Sequence, residues 1–100
     1  MSNRRQLIKD LSGSAFKVFY TLLEITVKEK KRNPNFNGWI QVSYNQLKMM
    51  TGVQNITRVL DEFNSFSEDD GVAIIEIDTV SGVSNKYRVA KELVDARIKS

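Results

Sequence analysis

SYNQLKMMTGVQNITRVL, Ser43 to Leu60, is the stretch on which the fold turns. Ser43 and Gln46 stand three apart, the spacing of a capping box. The serine hydroxyl takes a free backbone N–H of the first turn, and the glutamine side chain takes the N–H of the serine, so a helix starts here. Leu47 and Met50 are expected to face inward, and Thr51-Gly52 ends the helix. A second helix is expected from about Asn55 to Phe66. Ile56, Val59, Leu60, Phe63 and Phe66 recur at three and four and define its buried face. The stretch therefore predicts two short helices joined by a glycine turn.

Working outward, Gly38-Trp39-Ile40-Gln41-Val42 reads as a short strand before the first of these helices. Before it, Lys31 to Gly38 holds the one proline, Pro34, among asparagines, and reads as a loop. A long helix is expected from Ser14 to Lys31, capped by Ser12. Ala15, Phe16, Phe19, Leu22, Leu23 and Thr26 would form its apolar face, widened by Val18 and Ile25. Lys17, Thr21, Glu24 and Lys28 would lie opposite, with Glu24 and Lys28 paired at i,i+4. Downstream, Glu68-Asp69-Asp70-Gly71 reads as a turn and Val72 to Ile77 as a β-branched strand. Thr79 to Ser84 reads as a hairpin loop. Asn85 to Val89 returns as a strand with Tyr87 and Val89 on one face, and Lys91 to Ile98 closes as a helix.

Composition narrows the function classes. The chain has 100 residues, enough for one domain with its own core, and 41% of them are hydrophobic. It has no cysteine and no histidine. Disulfides and thiolate metal sites are excluded, and the commonest general base and metal ligand are missing. No enzyme constellation, phosphate-cradling glycine pattern or calcium loop is legible, so no cofactor and no catalysis are expected. The start, Met1 to Leu7, is polar, and no run is long and apolar enough for a membrane span, so a cytoplasmic protein is expected. A net charge of +3 and a pI near 9.3 suit a nucleic-acid partner without requiring one.

The order helix, strand, helix, helix, strand, strand, helix is the pattern of a winged helix-turn-helix, an α+β fold with a small three-stranded antiparallel sheet. The residues also carry a family resemblance. Leu11 to Phe19 resembles the opening of winged-helix domains in plasmid and phage replication proteins. Gly38 to Leu47 is similar to their strand and capped second helix, and Thr51-Gly52-Val53 to the turn. Ile56 to Leu60 is similar to the recognition helix, and Ser84 to Val89 to the returning wing strand. The turn from Val53 to Ile56 looks shorter than in that pattern, and Lys48 stands where a small residue is usual. The chain also resembles the DNA-binding adaptors of plasmid partition systems that work with a tubulin-like GTPase.

The resemblance implies a homodimer on double-stranded DNA, serving partition, replication control or repression, with a partition or replication protein as a further partner. Gln54, Asn55, Thr57 and Arg58 would meet base edges from the start of the third helix, where Arg suits guanine and Asn or Gln suits adenine. Asn45, Gln46 and Lys48 would add contacts from the second helix. Ser84, Asn85, Lys86 and Arg88 would meet phosphates or the minor groove from the wing. The first group and the last each have a plain structural alternative: a solvated helix start for the one and a charge-protected edge strand for the other. Glu62 is expected to face outward with Asp61, and such acids keep open a protein-interaction domain that never touches DNA. Lys28 to Arg32 reads as a helix end complementing its dipole, and Arg4 and Arg5 as a basic arm or a short tail. Helix one and Leu93, Val94 and Ile98 are the expected dimer surface.

Overall fold

The computed structural model describes residues 8–70, 74–78 and 85–99, the side chains of 66–70 excepted. Helix α1 spans Gly13–Arg32. Its start is fixed by Ser12, whose Oγ accepts from the Ala15 N–H at 3.2 Å. Its end carries Lys30, Lys31 and Arg32 beside the free carbonyls, and the chain leaves through Asn33 into Pro34. Ala15, Val18, Phe19, Leu22, Leu23, Thr26 and Val27 are buried. Thr26 loses no hydrogen bond by burial, because its hydroxyl donates to the Leu22 carbonyl at 2.8 Å. Two expectations fail here. Phe16 lies on the surface, 44% exposed, since only a helix arc about Leu22 faces the core. Glu24 pairs with Arg97 at 2.7 Å rather than with Lys28, because the last helix brings a guanidinium within reach.

Strand β1 (Trp39–Val42) runs into helix α2 (Tyr44–Thr51), and helix α3 (Ile56–Asp70) follows. Strands β2 (Ile75–Asp78) and β3 (Asn85–Val89) and helix α4 (Lys91–Lys99) complete the order. Both halves of the Ser43–Gln46 capping box are present, at 2.9 and 3.1 Å. Gly52 closes α2 in the left-handed region at φ 76°, donating its N–H to the Lys48 carbonyl, a conformation that favours glycine. Leu47 is buried as expected, whereas Met50 is 56% exposed. The expected turn at Glu68 to Asp70 is instead the last turn of α3. Nothing before Gly71 breaks a helix, and propagation continues despite three acids at the carbonyl end. Phe66's side chain, Val72, Ala73, Arg4, Arg5 and the Thr79–Ser84 loop lie outside the described residues.

The described strands form one antiparallel sheet in the order β1-β3-β2. Register sets Ile40 and Ile77 across from Tyr87, and Ile75 across from Val89, all toward the core. The opposite face carries Trp39 and Glu76 beside Arg88, and Gln41 and Asp78 beside Lys86. The fold is thus α+β: four helices and a small three-stranded antiparallel sheet among the described residues. Its core joins α1, α2, α3 and the inner sheet face, with Tyr87, Phe63, Leu22 and Leu47 as the largest fully buried side chains. Leu93 and Val94 of α4 are spent on this core and offer no free dimer surface, while Ile98 packs against it and stays partly exposed.

Candidate functional site

Four of the expected residues gather at the start of α3. Gly52, Val53, Gln54 and Asn55 bridge the two helices. Val53 is buried and its N–H donates to the Thr51 Oγ1 at 3.1 Å, so the turn is anchored from inside. Asn55 Oδ1 accepts from the Arg58 N–H at 3.1 Å and caps α3. Asn55 therefore has a structural task, while its amide N–H₂ makes no hydrogen bond among the described residues. Gln54, Asn55, Thr57 and Arg58 are all exposed. The Arg58 side chain has no hydrogen bond or ion pair among the described residues. Backbone N–H groups of the first α3 turn lie beside these side chains, and such a helix start attracts anions.

Glu62 leaves this face. It is half-buried, and its carboxylate accepts from both the Ser12 N–H and the Ser12 Oγ at 2.8 Å. The expectation that it faces outward is corrected: Ser12's free donors at the start of α1 draw it back across the fold. Of the carboxylates expected on the outer face, Asp61 stays exposed.

The second-helix residues divide. Asn45 and Gln46 are exposed at the start of α2, about 9 Å of helix rise from its end. Gln46 accepts from the Ser43 N–H and is committed to the cap. Lys48 is half-buried. The α2 start lies against β3 rather than against the start of α3, because Val42 pairs with Asn85 one residue before the cap. Tyr44 marks the junction: its hydroxyl accepts from Asn85 Nδ2 at 3.3 Å.

Asn85 is the clearest correction. Expected on an exposed wing, it is buried at 6% exposure, and its amide also meets the Tyr87 hydroxyl at 3.4 Å. Strand parity is the reason: residue 85 must point where 87 and 89 point. Burial pushes the Tyr87 phenol above its ordinary pKa, against the lowering effect of Asn85. The sequence carried this signal in the shared face of Tyr87 and Val89, but an asparagine beside a loop suggested solvent. Ser84 lies outside the described residues.

Lys86 and Arg88 do share the outer sheet face, as expected. Each has a carboxylate opposite. Arg88 bonds Glu76 at 2.7 Å and lies over the Trp39 ring, 4.8 Å from its centroid. Lys86 stands in register with Asp78. The face is near neutral, and neither anion is visible in the local sequence of β3. A cleft of about 430 Å³ adjoins this face between the α1 end, Phe36 and α4, and it holds the pairs Arg88–Glu76 and Lys91–Asp95 together with Lys30 and Glu92.

Among the described residues no group of three acidic, histidine or cysteine side chains could hold a metal ion, and no helix is long and apolar enough to cross a membrane. No family model, no curated protein sequence and no solved structure matches the chain.

Proposed function

We propose that the chain is a winged-helix protein that binds double-stranded DNA through the start of α3. One observation carries the reading: Gln54 and Asn55 of the turn and Thr57 and Arg58 of the first helical turn stand exposed together at the start of a helix set by a capped short helix and a left-handed glycine. A helix entering the major groove reads bases from that end. Arg58 supplies a guanidinium fork with no ion pair among the described residues, and Gln54 and Asn55 supply amides of the kind that read adenine. Lys86 is the phosphate contact on the sheet side, Arg88 being held by Glu76. The role served is partition, replication control or repression of a mobile element. The chain binds rather than catalyses.

A second reading, a winged helix that binds protein and not DNA, draws on the neutralised outer sheet face. Selection from a random-sequence duplex pool, followed by mobility shift over a salt series, separates the two. DNA reading requires an enriched motif and an affinity that falls as salt rises. No retained duplex at low salt ends the DNA reading.

A further inference from the structure

The cleft beside the outer sheet face lies apart from the start of α3. Its volume, about 430 Å³, is that of a small-molecule site. The end of α1, the loop at Phe36 to Gly38, strands β2 and β3 and the start of α4 enclose it, and no residue of α2 or α3 among those described lines it. Its floor is apolar. Val89 and Val94 are buried there, and Phe36 and Ala90 are half-buried and pack against the same core.

Its polar groups differ in what they have left to offer. The three carboxylates that line it are all engaged: Glu76 by Arg88 at 2.7 Å, Asp95 by Lys91 at 2.8 Å, and Glu92 by a partner of its own. Asn37 Oδ1 accepts from the Trp39 N–H at 2.9 Å, and Thr26 donates to the Leu22 carbonyl. Arg88 is fixed as a wall. Glu76 holds its guanidinium, the Trp39 ring lies under it, and its stem runs beside Gly38, where a Cβ would come within 3.2 Å. The groups without a partner are donors. Lys30 is half-buried at the cleft and has no ion pair or hydrogen bond among the described residues, and neither has the Asn37 amide N–H₂. The local field has the same sign. The Asp95 carboxyl is held low by Lys91 first, and by Lys30 and Lys99 as well, so several cations crowd one carboxylate.

We propose that this cleft binds a small aromatic monocarboxylate, its carboxylate on Lys30 and the Asn37 amide and its ring against Phe36, Val89 and Val94. Donors without acceptors beside an apolar floor suit an anion carried on an apolar body, since each half of such a ligand meets what it lacks in the cleft. A flat ring can lie against the half-buried ring of Phe36. Glu76, Glu92 and Asp95 repel a second negative charge, so a ligand with one anionic group is taken and a polyanion is refused. The cleft is thereby set against the phosphate backbone, and the inference stands or falls apart from DNA binding.

Titration of the full chain with benzoate, followed by amide NMR and without DNA present, reads binding residue by residue. Saturable shifts are expected at Gly38, Val89 and Ala90, with a dissociation constant on the order of 1 mM, as suits a fragment-sized ligand. Benzyl alcohol keeps the ring without the charge, and acetate keeps the charge without the ring. Each should bind at least about tenfold more weakly. Lys30→Met keeps the aliphatic stem and removes the ammonium, and should weaken benzoate about tenfold. Lys28→Met, on an exposed position of the same helix outside the cleft, should leave it unchanged. Circular dichroism and thermal unfolding confirm that both variants keep the fold. The absence of saturable shifts at the cleft overturns the proposal. So does benzyl alcohol or acetate binding as tightly as benzoate, or a folded Lys30→Met that binds like the wild type. Shifts confined to the start of α3 would place the anion on the proposed DNA face and overturn it as well.

Discussion

The start of α3 and the outer face of the sheet both put cations and amides on the surface, yet they differ in what stands opposite. At α3, Arg58 projects with no carboxylate bound to it among the described residues, and Glu62, one helical turn on, has turned to Ser12. On the sheet, Arg88 is tied to Glu76 and Lys86 faces Asp78. A helix start owes its availability to its own first turn. A strand owes its availability to neighbours many residues away. The same residue types are therefore left open in one region and neutralised internally in the other.

The two regions should separate most widely in stability. Tyr87 is fully buried at the root of the sheet, and Thr57 is exposed on α3. Tyr87→Ala is expected to cost about 3–5 kcal/mol, the range for emptying an aromatic site. Thr57→Ala should stay within about 0.5 kcal/mol. Asn85→Ala falls between, at about 1–3 kcal/mol, because it strips the buried Tyr87 hydroxyl of its partner. Denaturant unfolding measures all three. Equal losses at Thr57 and Asn85 would erase the contrast between an open and a buried polar residue.

These contrasts also explain what could be read in advance. The capping box at Ser43, the Gly52 turn and the three–four spacing in α3 are local, and each landed within a residue or so at its start. The α3 end did not, because its acidic last turn disguised a helix as a loop. Residue exposure in β3 required strand parity and cross-strand pairing, and Glu76 and Asp78 become relevant only once β2 pairs with β3. The expected inward Met50 and Phe16 show the same limit: periodicity places a face, but the neighbouring helix decides its width.

Binding should reverse the order seen in stability. Arg58→Ala is expected to weaken specific DNA affinity by about 1–3 kcal/mol while leaving unfolding unchanged within about 0.5 kcal/mol. Titration against the selected duplex and a scrambled one measures it. Equal losses on both duplexes would make Arg58 a phosphate contact and remove base reading from α3.

The sheet face gives a smaller, opposite effect. Glu76→Gln releases Arg88 from its anion while the guanidinium stays over Trp39. Affinity for every duplex should rise, and the salt slope should steepen by about one unit. Lys86→Ala should flatten the slope by about one unit, and Arg88→Ala should scarcely move it. A large loss with Arg88→Ala would show that the Glu76 pair opens on DNA, and the contrast between the regions would shrink.

The smallest effect lies outside both regions and calibrates the ion pairs within them. On α4, Lys91 Nζ meets Asp95 Oδ2 at 2.8 Å on an exposed surface. The hydrogen bond from Lys91 chiefly holds the Asp95 carboxyl below its ordinary range, and the same bond raises Lys91. The lysine stands N-terminal to the acid, the weaker order for a helix dipole. Because the folded pKa of Asp95 is lowered, its contribution is present above the ordinary carboxylate range. It is lost as pH falls through that range and through the lowered folded value. Asp95→Asn should therefore lower the midpoint of thermal unfolding slightly at neutral pH, with the difference from wild type vanishing in acid and shrinking in high salt. A difference that survives acid would mean that the side chain acts through its shape and not its charge. The exposed Arg88–Glu76 pair would then need the same test before its neutrality is counted against phosphate binding.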